Sequence, residues 1–264
     1  MRVSMKEGFY SHFHPEEKSF VDRVQEWIER AAELHELRRA DFLDPRQQFI
    51  STSLANRYGE VSFRFDGGYE HAERKRAIIA PSYRDLTYED AELNIVQVTS
   101  QNEKFSELDH GDFLGALIGL GIKRDRIGDI LVHEHLCQIV TTIEMAQYLD
   151  VHLRQVHRQS VLTDILPIDR LLPIQSEILE MNFTVASLRL DGIASDAYRI
   201  SRTKIVEPIK AGKCRVNWKL EDNPSKLLCE GDVVSIKGLG RFRVMEIEGM
   251  TKKGRTRIKI GKYI

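Results

Sequence analysis

The apolar residues of this chain change their spacing along the sequence, and this change constrains the fold more than any other feature. Between residues 20 and 34 they recur at helical spacing, which predicts one amphipathic helix. Between residues 61 and 65 they alternate with polar residues, as in a half-buried strand. A chain with both patterns in separate segments is predicted to have an α+β fold. The predicted apolar helix face consists of Phe20, Val24, Trp27, Ile28, Ala31 and Leu34.

The first segment has two helix start signals. Pro15 followed by two acids is typical of a first helical turn, and the Asp44-Pro45 pair predicts a second helix that ends at Gly59. We therefore expect a helical N-terminal layer at about residues 10–58. A strand at 61–65, a turn at the following Asp-Gly-Gly and a strand at 77–80 come next.

The middle segment is predicted to follow the order strand, helix, strand, strand, helix, strand, with Asp112 as the cap of its first helix. That order is the ferredoxin-like (RRM-like) pattern, in which two helices cover one face of a sheet. A connector with two prolines is expected at 162–180. The predicted elements span residues 94–99, 112–120, 129–133, 136–142, 143–150 and 151–161.

The last segment is predicted to be a small α+β domain, with glycines marking its turns. The expected domains are 1–75 (helical region plus hairpin), 76–165 (ferredoxin-like) and 181–264. The predicted helices of the last domain span residues 186–193 and 201–210, and its predicted strands span 214–218, 233–236, 242–247 and 257–260.

Charge is strongly segregated along the chain. Residues 182–264 hold 18 Lys and Arg against 9 Asp and Glu, whereas residues 1–181 hold 21 against 31. The net charges are therefore +9 and −10. This asymmetry predicts that the last third binds a polyanion, while the acidic two-thirds face a protein partner or act as a scaffold.

The remaining composition favours a soluble cytoplasmic protein. Cys137, Cys214 and Cys229 are far apart and form no CxxC pair, which is typical of a reduced compartment. The apolar run at 113–122 is too short for a membrane span, which needs about 20 residues. No membrane partner and no cofactor are expected.

Four sequence pieces of the last segment resemble the S4-type RNA-binding module: RLD at 189–191, SR at 201–202, VNWK at 216–219 and EGDVV at 230–234. Ser201 is a good N-cap that places Arg202 in the first turn of a helix, and Asp191 is available to orient an arginine. Such a basic surface suits phosphates. The candidate RNA-binding residues are Arg189, Ser201, Arg202, Lys204, Lys210, Lys213, Arg215, Asn217, Lys219 and Arg241.

Three features of this segment leave alternatives open. Pro208 lies inside the second predicted helix, where it removes a backbone hydrogen bond, so the helix is either straight or kinked and the direction of Lys210 depends on which. Trp218 suits either base stacking or burial in the small core. The basic stretch at 251–262 is either a hairpin that extends the RNA contact or a charged, solvated edge.

Most of the chain resembles the YlmH family. The resemblance rests on DFLDPR at 41–46, GGYE at 67–70, AER at 72–74, GLGRF at 238–242 and the S4-type module. It implies a non-catalytic bacterial protein that binds ribosomal RNA of the large subunit carrying a peptidyl-tRNA. It also implies a part in ribosome-associated quality control of stalled chains.

Other chemistries are weaker. His133-Glu134-His135 places two imidazoles on one strand face, but no third metal ligand is evident, so no metal site is expected. The middle strand at 136–140 lacks the aromatic residues with which RNA-recognition sheets stack bases, which favours a scaffold or protein-facing role.

The main rival function is an RNA-modifying enzyme or tRNA-binding factor that uses the S4-type module for docking. A methyltransferase needs a glycine-rich loop after its first strand, and a class I synthetase needs paired nucleotide-binding signatures. Neither is evident in the sequence. No catalytic residues are predicted.

Overall fold

The computed structural model describes residues 13–100, 105, 107–172 and 178–263. The chain forms two compact units, one spanning Pro15–Ile174 and the other including Gln175–Ile264, which we call the N-terminal and C-terminal units. Both contain helices and strands, so the α+β prediction is confirmed. Within the described residues, no helix is long and apolar enough to cross a membrane.

Helix α1 (Lys18–Leu34) has most of the apolar face that its spacing predicts, with five of the six predicted residues buried. Leu34 is the exception and is 61% exposed. The helix ends at Leu34, and His35 takes a left-handed φ of 57° that turns the chain away. Val21, which the spacing did not single out, is fully buried.

Strand β1 (Arg38–Leu43) interrupts the helical layer predicted over residues 10–58, and that prediction is wrong there. The strand pairs antiparallel with β3 (Lys75–Pro81) and buries Phe42 and Leu43. Its sequence is short and rich in charge, so the partner strand rather than local pattern decides its conformation.

Helix α2 (Pro45–Tyr58) begins and ends as predicted. The Asp44 carboxylate accepts a hydrogen bond from the Gln47 N–H at 2.9 Å, and the Gln47 side chain accepts one from the Asp44 N–H at 3.0 Å. This capping box satisfies two N–H groups of the first turn. Gly59 ends the helix with a φ of 70°.

The first sheet has the order β1-β3-β2, where β2 is Val61–Asp66 and all pairs are antiparallel. Helix α1 packs on β3 and α2 on β2. Phe42, Ile78 and Ala80 form a buried cluster with residues of a second sheet. The first sheet therefore lies between a helical layer and the second sheet.

The middle segment contributes a second sheet and two helices. Its elements are β4 (Leu93–Thr99), α3 (His110–Gly119), β5 (Ile127–Val132), β6 (Leu136–Thr142), α4 (Ile143–His152), β7 (Gln155–Val156), β8 (Gln159–Ser160) and β9 (Leu162–Pro167). The second sheet has the order β5-β6-β4-β9, and every neighbouring pair is antiparallel. Helices α3 and α4 pack against it, with Phe113, Leu117, Ala146 and Leu149 in one buried cluster with Val96 and other sheet residues. Strands β7 and β8 form a two-strand hairpin after α4.

Two predictions for this segment are wrong. Asp109 rather than Asp112 caps α3, and Asp112 supplies the reciprocal hydrogen bond of the capping box. The closing strand is β9 rather than residues 151–161, so the connector predicted at 162–180 begins with a strand. Strand β9 is an edge strand that exposes Leu162 and Ile165, which explains its weak apolar pattern.

The C-terminal unit consists of one antiparallel sheet and two helices. Its elements are β10 (Ile178–Val185), α5 (Leu190–Tyr198), α6 (Arg202–Lys210), β11 (Cys214–Val216), β12 (Lys219–Leu220), β13 (Val233–Ile236), β14 (Gly240–Met250) and β15 (Thr256–Tyr263). The six strands have the order β10-β15-β14-β13-β11-β12. Helices α5 and α6 share one core with the sheet, in which Ile193 and Ile205 meet Val234, Phe242 and Ile260.

The start of this unit differs from the prediction. The helix predicted at 186–193 is wrong, because α5 begins at Leu190 and continues to Tyr198. The last part of the predicted connector belongs to β10, which pairs along its whole length with β15. Residues 173–177 of that connector lie outside the described residues.

The half-buried carboxylate of Asp129, on β5, holds the loop between β2 and β3. Its Oδ2 accepts hydrogen bonds from the Tyr69 hydroxyl and the Glu73 N–H, both at 2.7 Å, and its Oδ1 accepts one from the Arg74 N–H at 3.0 Å. Burial and the nearby carboxylate charge raise the pKa of Tyr69, so this hydroxyl stays a donor. The carboxylate thus joins the two sheets of the N-terminal unit.

Gly128 on β5 lies against Phe42 of the first sheet, and we expect Gly128→Ala to lower the free energy of unfolding by about 1–3 kcal/mol. A Cβ there would lie 2.8 Å from Cε1 of the buried Phe42 and 3.1 Å from Cβ of Val140. Urea denaturation measures the change. The control is Gly115→Ala in α3, where no atom lies within 4 Å of the added Cβ, and which should gain about 0.5–1 kcal/mol. Equal stability of the two variants would contradict the steric explanation.

Candidate nucleic-acid interface

A buried carboxylate in the C-terminal unit organises two of the predicted arginines. Asp191, in the first turn of α5, is only 3% exposed. Arg189 donates to both of its oxygens, from Nε at 3.2 Å and Nη2 at 3.0 Å. Arg202, at the start of α6, donates from Nη2 to Oδ1 at 2.7 Å. The sequence predicted that Asp191 would orient an arginine, and in the structure it binds two.

The two guanidinium groups remain accessible although their anchor is buried. The Arg189 side chain is 38% exposed and the Arg202 side chain 54%. Burial disfavours the charged form of Asp191, but the hydrogen bonds and charges of the two arginines together hold its pKa below the usual value. The carboxylate is therefore ionised at neutral pH, and it fixes two planar donors whose geometry suits phosphate.

The amide groups at the start of α5 are already engaged by the loop at 224–228. The Leu190 N–H donates to the Lys226 carbonyl at 2.8 Å, and the Asp191 N–H donates to the Pro224 carbonyl at 3.0 Å. The backbones of Arg189 and Leu227 also pair in a single antiparallel β-bridge. Anion binding here must therefore come from the side chains rather than from the helix terminus. No sequence pattern predicted this supporting loop.

Helix α6 presents a further group of predicted residues. The Ser201 hydroxyl caps the helix by accepting from the Lys204 N–H at 3.5 Å. Lys204 and Lys210 are exposed, and the helix continues through Pro208 to Lys210. Arg202, Lys204 and Lys210 are thus supplied by one helix, although Pro208 lies within it.

The structure places Arg215 and Arg241 on the opposite side of the sheet from the helices. Both lie opposite Ser235, Arg215 on β11 and Arg241 on β14. Their sequence neighbours Cys214, Val216 and Phe242 are buried in the core beneath α5 and α6, so alternation directs the arginines to the other face. The Arg241 guanidinium stacks 4.5 Å above the Tyr263 ring. The predicted set therefore occupies two faces rather than one.

Asn217 acts within the domain. Its side-chain amide donates to Asp232 at 2.8 Å, and its side-chain oxygen accepts from the Val233 N–H at 2.9 Å. Asn217 and Trp218 have φ values of 51° and 64° and form the turn between β11 and β12. The amide thus positions this turn, and Trp218 is only partly buried. Lys213 and Lys219, which flank β11 and the turn, are exposed.

Within the described residues, no three His, Cys, Asp or Glu side chains are grouped to hold a metal ion. Glu134 and His135 are exposed, with 3.7 Å between Oε1 of Glu134 and Nε2 of His135. Burial lowers the pKa of His133, which keeps its imidazole neutral.

Two family models match the chain. One, described as "YlmH, N-terminal", matches residues 16–84, and the other, described as "Putative RNA-binding domain in YlmH", matches residues 87–169. Both ranges lie before the basic C-terminal unit. With the similarity to the relative below, they show that this chain belongs to the YlmH family.

A curated relative, "Ribosome-associated protein quality control protein P2" of Bacillus subtilis (strain 168), is 36% identical over 249 residues, which cover 94% of this chain and 96% of the relative. A solved structure, "Cell division protein ylmH from Streptococcus pneumoniae", is 28% identical with a TM-score of 0.51 and covers 60% of this chain and 95% of its own.

The description of the second family model attaches RNA binding to the middle segment, for which the sequence favoured a scaffold or protein-facing role. In the structure β4, β5 and β6 are packed on both faces, whereas the edge strand β9 exposes Leu162 and Ile165. Helices α3 and α4 pack on one face. Phe42, Ile78 and Ala80 of the first sheet pack with Leu131 and Val140 on the other. The central strands β4 and β6 therefore offer no open face on which bases could stack, as they do on an open RNA-recognition sheet.

Proposed function

We propose that this protein is a non-catalytic RNA-binding factor that docks through its C-terminal unit on ribosomal RNA of the large subunit carrying a peptidyl-tRNA. Its role would lie in ribosome-associated quality control of stalled chains. The observation that carries the proposal is the pair of half-exposed arginines fixed by the buried Asp191. The net charge of +9 over residues 182–264 and the name of the Bacillus subtilis relative support it.

We also propose the finer fold assignments. The strand order β5-β6-β4-β9 with two helices on one face supports a ferredoxin-like middle domain. The two consecutive helices before β11, together with the motif residues on them, support an S4-type C-terminal domain over residues 181–264. The strand β10 that precedes these helices extends the sheet at one edge.

The proposed RNA-binding residues do not have equal roles. We assign direct phosphate contacts to Arg189 and Arg202, with further contacts from exposed lysines around them. Arg215 and Arg241 belong to the other face of the sheet, and Ser201 and Asn217 act by positioning their neighbours. The proposed lysines are Lys204, Lys210, Lys213 and Lys219.

The acidic N-terminal unit is proposed to contact a protein partner, or a short RNA segment through its loops. Its two sheets are packed against each other, so its loops, sheet edges and outer helix faces are the available surfaces. The residues before 182 carry a net charge of −10, which disfavours broad contact with a polyanion.

Sedimentation with purified large ribosomal subunits over a salt series tests the proposal. We expect the wild type to co-sediment and to be released steeply as salt rises, because phosphate contacts displace counterions. Arg202→Ala should weaken binding by about 1–3 kcal/mol, and Arg189→Ala/Arg202→Ala should stay in the supernatant. Arg23→Ala, an exposed arginine on α1 that lies outside the segment matched by the RNA-binding family model, is the matched control. If the wild type does not co-sediment with the large subunit at any salt concentration, the ribosomal proposal fails.

A further inference from the structure

The hairpin formed by β14 and β15 ends in a cluster of cations. Strands β14 and β15 pair from Phe242 opposite Lys262 to Met250 opposite Thr256, and residues 251–255 form the tip. The tip sequence is Thr-Lys-Lys-Gly-Arg, and residues 251–262 hold six cations and no acid. Lys252 and Lys253 are both exposed. The tip is therefore a concentrated positive charge at the end of the sheet.

The tip is held in one conformation by hydrogen bonds. The Gly254 N–H donates to the Thr251 carbonyl at 2.9 Å, and the Thr251 N–H donates to the Arg255 carbonyl at 2.7 Å. The Thr251 hydroxyl accepts from the Arg255 N–H at 3.1 Å. Gly254 has a φ of 72°, which few other residues adopt. A tip that is already ordered loses little conformational entropy when it binds.

Arg255 braces the tip against the neighbouring strand. Its Nε donates to the Thr184 hydroxyl at 3.0 Å, and its Nη2 donates to the Thr184 carbonyl. The Arg255 guanidinium is engaged in these hydrogen bonds to Thr184. Lys252 and Lys253 are therefore the cations of the tip that are available to a ligand. The tip is thus tied to the C-terminal end of β10.

That tie brings the tip to the same end of the domain as the arginine pair. Strand β10 ends at Val185, opposite Thr256, and Arg189 begins the helical layer shortly afterwards. Because Arg189 follows Thr184 so closely in the chain, the backbone between them spans at most about 18 Å. One RNA helix, with its closely spaced phosphates, can therefore contact the hairpin tip and the arginine pair at the same time.

We propose that Lys252 and Lys253 form a second phosphate-binding point that grips the RNA bound by Arg189 and Arg202. This proposal rests on the proposed function, because it assumes that the arginine pair binds RNA. The ligand class is the phosphate backbone of structured RNA. The two points differ in kind: the arginines offer planar donors fixed by a carboxylate, and the lysines offer compact point charges.

The test compares Lys252→Ala/Lys253→Ala with the wild type in the same large-subunit binding assay over a salt series. We expect roughly tenfold weaker binding near physiological salt and a salt slope smaller by about 0.9 for each phosphate that the variant no longer neutralises. Both side chains are exposed, so the variant should fold normally, which thermal unfolding checks.

The matched control is Arg243→Ala, compared with Lys253→Ala alone. Arg243 is also an exposed cation of this hairpin, but its neighbours Phe242 and Val244 are buried under the helices, so alternation directs it to the face of the sheet away from α5 and α6. If Lys253→Ala and Arg243→Ala weaken binding equally, or if the double variant matches the wild type, the second binding point is excluded while the arginine pair stands. If the wild type itself does not bind, the proposed function fails and this proposal fails with it.

Discussion

Asp191→Ala should weaken RNA binding by about 1.5–3 kcal/mol, roughly ten- to a hundredfold, although it removes a negative charge from a surface that binds a polyanion. Simple charge counting predicts the reverse. The reason lies in the geometry: without the buried carboxylate, Arg189 and Arg202 lose the hydrogen bonds that fix them. The two side chains are then mobile before binding, and the conformational entropy that they lose on binding weakens the affinity. The subunit-binding assay at constant salt measures the effect.

The control for this variant is Asp196→Ala. Asp196 lies on the same helix, α5, but is exposed and is not bonded to either arginine. Its removal causes the same change in net charge, and we expect unchanged or slightly tighter binding. Thermal unfolding must show that Asp191→Ala is folded at the assay temperature. If the two variants behave alike, the buried carboxylate does not organise the site.

Asp129→Ala should lower the free energy of unfolding of the N-terminal unit by about 3–5 kcal/mol. The substitution leaves the Tyr69 hydroxyl and the N–H groups of Glu73 and Arg74 without their acceptor. Each hydrogen bond to a charged group contributes about 1.5–3 kcal/mol, and partial hydration of the half-buried site reduces the sum. Urea denaturation followed by far-UV circular dichroism measures the change.

Asp164→Ala provides the comparison. Asp164 lies on β9 of the same sheet but is exposed, and such surface substitutions usually change stability by less than about 0.5 kcal/mol. Tyr69→Phe removes one of the three donors and should have an intermediate effect. A decrease of less than about 1 kcal/mol in Asp129→Ala would show that the loop between β2 and β3 is not held by this carboxylate.

The packing of the N-terminal unit limits which surfaces of the two segments matched by family models can contact RNA. The middle sheet is covered by helices on one face and by the first sheet on the other, and Asp129 ties the two sheets together. The two segments matched by separate family models therefore form one compact unit. RNA contact of the middle segment would use its loops, its sheet edge or the outer faces of α3 and α4, while the arginine pair of the C-terminal unit offers an exposed surface.

Local chemistry in the sequence predicted the elements whose signals need no distant partner. The amphipathic spacing of α1, the Asp44 cap and Gly59 stop of α2 and the Ser201 cap of α6 all correspond to what the structure shows. The pairing of Asp191 with an arginine was also predictable, because the motif places the two only two residues apart. Hydrogen bonding and capping over a few residues decide these features.

Only the tertiary structure decided the remaining features. Strand β1 is a strand because β3 pairs with it, and β9 closes the second sheet because β4 accepts it as an edge. The register of β11, β13 and β14 places Arg215 and Arg241 away from Arg202, which no motif spacing could show. The sequence alone determined which cations the C-terminal unit carries. Strand pairing determined which of them share a surface, because a one-residue change of register moves a side chain to the other face of a sheet.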